Sequence, residues 1–329
     1  MRLAYAMSAT ERRSDVQQPS PEDYDFDLDE ALSAVVGLRS IVPADAFTAE
    51  TLGTERLGHG VIISKQGLIL TIGYLVTEAE TIWIRHADGR VVQGHVLGYD
   101  QETGFGLVQA LARMDAPWLT LGDSSATPIG TDVVVGGTGG RANAVAANVV
   151  AKQEFAGYWE YLLDQALFTA PSHPHWGGTA VIGPTGQLLG IGSLQVQQVD
   201  REGKSNDINM VVPINLLKPI LNDLSTLGRP SKPSRPWLGL YATEIGNRIA
   251  VAGVAGKGPA KTADLRTGDI IIDVAGDEVR NLAGFFRRIW ALGPAGVEVP
   301  ITINRKGRLM DIRVTSADRR RFLKGPVLH

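Results

Sequence analysis

Between residue 31 and about residue 212 the chain alternates short aliphatic, β-branched runs with glycine and polar turns. Gly60-Val61-Ile62-Ile63-Ser64 and Leu68-Ile69-Leu70-Thr71 flank Lys65-Gln66-Gly67. Thr81-Ile82-Trp83-Ile84 and Arg90-Val91-Val92 flank Ala87-Asp88-Gly89. Asp-Gly between two such runs favours a type I′ hairpin turn, whose two central residues need positive φ. The runs at 131–135, 144–151, 161–163 and 188–192 continue the pattern. Many short strands separated by turn signals predict a sandwich or barrel. The period then changes: apolar residues at 214, 216, 217, 220, 221 and 224 predict a helix over 214–224.

A second unit follows a break. Residues 226–236 hold Pro230, Pro233 and Pro236, a semi-rigid linker composition. Beyond it, strands are expected around 237–243, 248–254, 270–275, 297–304 and 308–314. One amphipathic helix fits 281–292, where Leu282, Phe285, Phe286, Ile289 and Leu292 share a face and Asn281 can serve as N-cap. The organisation expected is an acidic, solvated tail over 1–30, a β-rich domain over 31–225, the linker over 226–236, a smaller domain over 237–315 and a basic tail over 316–329.

Composition narrows the chemistry. The 329 residues carry a net charge of −3 and no cysteine. Disulfides, zinc–thiolate sites and thiol nucleophiles are therefore excluded, and nothing resembles the clustered basic excess of a nucleic-acid binder. No apolar run reaches the roughly 18 residues of a membrane span. Met1 to Met7 lack the apolar core of a secretory signal, so a cytoplasmic location is expected, or a periplasmic one if the start site is misassigned. Residues 11–30 hold eight acidic and two basic residues, a composition that cannot bury enough apolar surface to order itself. Alternatively, Tyr24, Phe26 and Leu28, alternating with aspartates, form a docking segment for a sister subunit.

Leu57-Gly58-His59-Gly60-Val61-Ile62-Ile63-Ser64 and Gly67-Leu68-Ile69-Leu70-Thr71 open a collinear set of landmarks. Asp88-Gly89-Arg90, Gly98-Tyr99-Asp100, Leu121-Gly122-Asp123-Ser124-Ser125, Gly177-Gly178 and Val211-Val212-Pro213-Ile214-Asn215 continue it. Trp237-Leu238-Gly239-Leu240, Pro259-Ala260, Leu265 and Gly268-Asp269-Ile270-Ile271 complete it in the second unit. Together they resemble the HtrA (DegP-like) family. The resemblance implies a mostly β protein, a chymotrypsin-like double β-barrel followed by a PDZ domain. It also implies a homo-oligomer, with a trimer as the expected form.

The same resemblance locates the catalytic positions, and all three are replaced. The family's histidine falls on Tyr74, its aspartate on Gly104 and its serine on Trp176. Acyl transfer needs a nucleophile, a base and a group that fixes the base's tautomer. A tyrosine, with an ordinary pKa near 10, is a poor base at neutral pH; glycine orients nothing and an indole cannot attack a carbonyl. The earlier oxyanion-hole position falls on Pro174, which has no N–H. No catalytic residue is therefore expected, and the reading is a pseudoprotease. Two alternatives stand beside it. Ser172 would be a displaced nucleophile, which would keep the chain a serine endopeptidase. His173 and His175, at i and i+2 on one face of an extended strand, would need a third ligand to hold zinc. Neither a metal nor a cofactor is expected, and the two histidines read as surface or loop residues.

The PDZ resemblance leaves one site intact. Such domains bind a chain terminus by adding it as a strand to a sheet edge. Leu238, Gly239 and Leu240 match the loop whose N–H groups hold the terminal carboxylate, and Tyr241 begins the edge strand. Trp237 belongs to the same motif, and Phe285 and Ile289 are candidates for the side-chain pocket. Arg235 could add charge attraction but reads more simply as a linker residue. Asp264, within Ala263-Asp264-Leu265, is expected to tolerate a left-handed backbone. The expected partners are protein or peptide C-termini, bound in a scaffold, adaptor or chaperone-like role.

Overall fold

The computed structural model of the protein describes residues 17–199, 203 and 205–325. These residues form two compact units. The first comprises residues up to Ala44, Leu52–Lys152 and Ala166–Arg229; the second comprises Asp45–Thr51, Gln153–Gln165 and Pro230 onward.

The first unit contains two closed six-stranded barrels. Strands β1 (Val35–Ile41), β2 (Glu55–Ile62), β3 (Leu68–Ile72), β4 (Thr81–Arg85), β5 (Val91–Tyr99) and β6 (Phe105–Ala110) close in the order β1-β2-β3-β6-β5-β4. Strands β7 (Asp132–Gly136), β8 (Ala144–Gly157), β9 (Tyr161–Ala170), β10 (Ala180–Ile182), β11 (Leu188–Val199) and β12 (Ser205–Pro213) close in the order β10-β11-β12-β9-β8-β7. Closure removes every free sheet edge, and the inward side chains make the cores. Val133, Val135, Val145, Val149, Leu167, Val181 and Val211 fill the second barrel. The strands follow the aliphatic runs of the sequence, but β8 and β9 extend well past the apolar stretches that announce them. Their shared end, Gln153–Gln165, belongs to the second unit.

Three expectations about element boundaries are corrected. The acidic stretch is not a tail from residue 17 onward. Helix α1 (Leu28–Ser33) is capped by Asp27, whose carboxylate accepts from the Glu30 N–H (2.9 Å), and it buries Leu28, Ala31 and Leu32. The Gln17 carbonyl accepts from the Ala146 N–H (2.9 Å), and Phe26 packs beside Gly186 of its own chain, so the aromatic–aspartate segment is used internally. The acidic residues of this segment are exposed while Leu28 is buried among them, and a window average of charge hides that apolar contact. Residues 1–16 lie outside the described residues. The helix expected over 214–224 is split into a single turn at Ile214–Leu216 and a helix at Leu221–Leu227, because Pro219 lacks the N–H a continuous helix needs and restricts the residue before it.

The second unit is a sheet of β13 (Leu240–Ile245), β14 (Arg248–Val254), β15 (Ile270–Val274), β16 (Asp277–Glu278), β17 (Glu298–Arg305) and β18 (Arg308–Thr315), in the order β13-β14-β15-β17-β18 with β16 beside β15. A ten-residue helix, Leu282–Ala291, covers it; the Asn281 side chain accepts from the Gly284 N–H (2.7 Å), the cap read from the sequence. Leu282, Phe285, Phe286 and Ile289 turn inward against Leu240, Ile271, Ile301 and Val314. Asp264 takes φ +60°, the left-handed conformation anticipated for it. The expected basic tail is the third correction. Trp237 and Ala317 exchange two backbone hydrogen bonds of 3.0 Å, and Phe322 packs on Trp237 and Phe47. An aromatic anchor thus outweighs the local positive charge, of which Arg320 is paired with Asp318.

Leu28, within the expected tail, is buried on the first unit. Leu28→Ala should lower its unfolding free energy by about 2–5 kcal/mol, as a core truncation does; a solvated tail would give no measurable change in urea unfolding.

Candidate functional site

In the first unit, β3 runs directly into a one-turn helix, Gly73–Val76. The buried Arg56 guanidinium closes the end of that turn, donating to the carbonyls of Tyr74 (2.7 Å) and Thr77 (2.9 Å). Tyr74 is thereby held with its Oη donating to the Ser193 carbonyl (3.0 Å). The same oxygen lies 2.6 Å from where Gly177 would carry a Cβ. Gly104, at φ +85°, turns its carbonyl onto the Gly73 N–H (2.6 Å). The Trp176 carbonyl accepts from the N–H (3.2 Å) and hydroxyl (3.0 Å) of Thr179. The residues read as the three catalytic positions are thus drawn into one locality by these backbone contacts. What they offer there is a phenol already engaged with a carbonyl, a backbone with no side chain and a half-buried indole. Pro174, at the exposed turn, supplies no amide.

Two imidazoles beside this locality were not anticipated as a pair. His59 is buried, donates its backbone N–H to the Gly177 carbonyl (2.8 Å) and accepts from the Thr138 N–H at ring Nδ1 (3.1 Å). Its ring lies 5.9 Å from that of His173. Burial, then the nearby His173 and His175, push His59 down to about 4, and burial lowers His173 as well. Both are neutral at pH 7. His173 lies in a loop, one of the two settings read for it, but it is buried rather than at the surface, with Nε2 against the Asn143 carbonyl (3.0 Å) and its backbone N–H on Asn209 Oδ1 (2.6 Å). His175 is exposed and donates its N–H to His173 Nδ1 (3.0 Å). Among the described residues no serine or threonine hydroxyl, Ser172 included, is hydrogen-bonded to an imidazole. Among the same residues no three His, Cys, Asp or Glu side chains gather as a metal site.

The second unit holds the more specific constellation. Gly239, at φ +78°, lets successive amides face one point. The point is a carboxylate of the chain itself. Glu160 Oε1 accepts from Gly239 (2.7 Å), Leu240 (2.9 Å) and Leu238 (3.3 Å), and Oε2 accepts from Leu238 (2.9 Å). Glu160 sits at the turn between β8 and β9 and has φ +62°, uncommon for a residue with a side chain. Beside it the Tyr158 carbonyl accepts from the Ala242 N–H of β13 (2.9 Å), and the Tyr158 ring lies 6.0 Å from that of Tyr241. Leu162 shares a buried cluster with Leu238, Leu240, Phe285 and Ile289. Arg287, on the helix, pairs with Glu154 and Asp164 on the two strands of the turn. Two flanking residues have other roles. Trp237 packs on Phe47 and Phe322, and Arg235 stacks over Trp290 at 4.3 Å. Glu160 was missed from sequence; its only local signal is a glutamate where turn geometry favours glycine or asparagine.

The trypsin-like peptidase domain family matches residues 58–191, and the PDZ domain family matches residues 236–315. The chain has a trypsin-like peptidase domain followed by a PDZ domain, and it is similar over most of its length to HtrA/DegP proteins. A protein named "Probable periplasmic serine endoprotease DegP-like" from Pseudomonas fluorescens is 27% identical over 274 residues, covering 79% of this chain and 56% of the relative. "Serine protease Do-like HtrA" from Lactobacillus helveticus is 24% identical over 288 residues, covering 80% and 69%. The chain thus spans little more than half the length of the DegP-like relatives it matches. Among solved structures, the HtrA-type protease AlgW with decapeptide superposes with a TM-score of 0.53 at 20% identity, covering 91% of this chain and 98% of that one. The serine endoprotease from Yersinia pestis gives 0.51 at 22% identity, covering 88% and 95%. These likenesses show the fold. Among the described residues no helix is long and apolar enough to cross a membrane.

Burial pushes the Glu160 carboxyl up to about 7, further than the three amides and the Arg319 charge draw it down. A folded value above the unfolded one makes this contribution full below about pH 4.5 and lost as pH rises through about 7. Relative to Glu160→Gln, the wild type should lose up to about 3 kcal/mol of stability between pH 4.5 and 8, read by urea unfolding at a series of pH values.

Proposed function

We propose that the barrels of this chain perform no hydrolysis and that its function is carried by carboxylate recognition in the PDZ domain. The observation that supports the first half is the state of Tyr74. Its hydroxyl is committed to the Ser193 carbonyl in the place where the family carries a histidine, and among the described residues no hydroxyl–imidazole pair stands beside it. Loss of nucleophile or base costs about 10⁶ in rate, and loss of one oxyanion-hole donor a further 10²–10³ or so. In this reading the half-buried Trp176 occupies the ground where a substrate carbonyl would lie.

The second half is supported by what the amides of Leu238, Gly239 and Leu240 hold. Their convergence on a carboxylate is the chemistry that captures a chain terminus. The chain therefore serves as a scaffold, adaptor or chaperone-like module for exposed C-termini, with Phe285 and Ile289 walling the side-chain pocket. Weakly acidic overall, it takes protein partners rather than nucleic acid. As the DegP-like relatives are named periplasmic, the periplasm is the compartment proposed, and a homo-oligomer, a trimer by resemblance, is the proposed assembly.

A fluorophosphonate probe separates this from a serine endopeptidase with a displaced nucleophile such as Ser172. The purified chain should show neither covalent labelling nor casein turnover above a buffer control. Stoichiometric labelling abolished by Ser172→Ala would establish the enzyme instead.

A further inference from the structure

The groove that the proposed function needs is filled. Three features of the 158–162 turn reproduce, within one chain, what a bound terminus would supply. The Glu160 carboxylate takes all three loop amides, the Tyr158 carbonyl pairs with the Ala242 N–H on the edge strand, and Leu162 joins the cluster that contains Phe285 and Ile289. The ion pairs from Arg287 to Glu154 and Asp164 fasten the two strands of the turn to the wall of the groove. Glu160 keeps a left-handed backbone to do this, where glycine would meet the turn's demand without strain. A side chain retained against its backbone preference points to a role for the side chain.

We infer that Glu160 is an internal ligand of the PDZ carboxylate loop, and that a protein terminus enters the groove only by displacing the β8–β9 turn. The occupant is thus a named segment of the chain, and its competitor is a peptide with a free, ionised C-terminus and an apolar last side chain. The inference rests on reading the loop as a terminus-binding site, and it adds a closed state to that site. A competing internal ligand lowers apparent affinity by the fraction of molecules that are open. An external peptide must also supply the acceptor that the loop amides would otherwise lack.

The test uses the full chain and a set of fluorescein-labelled decapeptides ending in Val, Leu, Ile or Phe, each as free acid and as C-terminal amide. Anisotropy titrations compare wild type, Glu160→Ala, Glu160→Gly and Arg287→Ala. Glu160→Ala and Glu160→Gly should bind at least one free-acid peptide tenfold or more tightly than wild type, with no gain for its amide. Arg287→Ala, which leaves the loop untouched, should fall between them and wild type. Amide hydrogen exchange is read alongside: Leu238, Gly239 and Leu240 should be protected in the wild type and exchange at least tenfold faster in Glu160→Gly. Wild-type affinity equal to that of the Glu160 variants overturns the internal ligand, as does fast exchange of the three amides in the wild type. If no protein binds any peptide, terminus recognition fails, while the exchange rates still decide whether Glu160 fills the loop. Should Glu160→Ala misfold, the glycine variant, whose turn is relaxed, and Arg287→Ala carry the comparison.

Discussion

Three backbone amides aimed at one point are a demand that the rest of the second unit must meet. Left without an acceptor in a dry site, each costs about 1–3 kcal/mol; given an ionised carboxylate they make strong, short hydrogen bonds. The Leu238-Gly239-Leu240 loop creates the demand because Gly239 turns where a side chain would resist. The chain answers it with Glu160, at a contact 78 to 80 residues distant in sequence. Burying that carboxyl is itself costly, which is why burial outweighs the hydrogen bonds in its titration. The result is a balanced contact rather than a permanent weld.

The first unit shows the complementary case, a barrel scaffold whose proposed catalytic positions carry Tyr74, Gly104 and Trp176. The one-turn helix after β3, the tight approach of Gly178 to the backbone of His59 and the Gly73–Gly104 hydrogen bond draw these positions together. Proton transfer needs a base poised near working pH and within reach of a hydroxyl. At His59 burial pushes the imidazole down to about 4, and Nδ1 accepts from the Thr138 backbone N–H. These histidines read as supports for the turn that carries Trp176.

Much of this was legible in the order of the amino acids alone. Glycine and polar turns punctuate strands reliably where each strand buries one face, and the second-unit helix announced itself by its apolar spacing and Asn281. The loop at 238–240 was legible through its resemblance to the PDZ loop, with Gly239 free to turn between Leu238 and Leu240. Glu160 was not legible, because β8 continues through Lys152-Gln153-Glu154, a polar stretch that reads as a loop, and because pairing across some 80 residues leaves no local trace. Helix α1 was hidden by the acidic residues around its buried face. Pro219 breaks the expected helix although apolar periodicity runs straight through it. Phe322 was lost in the charge of the arginines before it.

The most direct measurement of the central contact is the carboxyl carbon of Glu160 followed by NMR in the intact protein as pH is varied. With the carboxylate held by the loop, its titration midpoint should lie near 7, and the amide signals of Leu238, Gly239 and Leu240 should move with the same midpoint. A midpoint at the ordinary glutamate value near 4.3, with those three amides indifferent to it, would contradict the account.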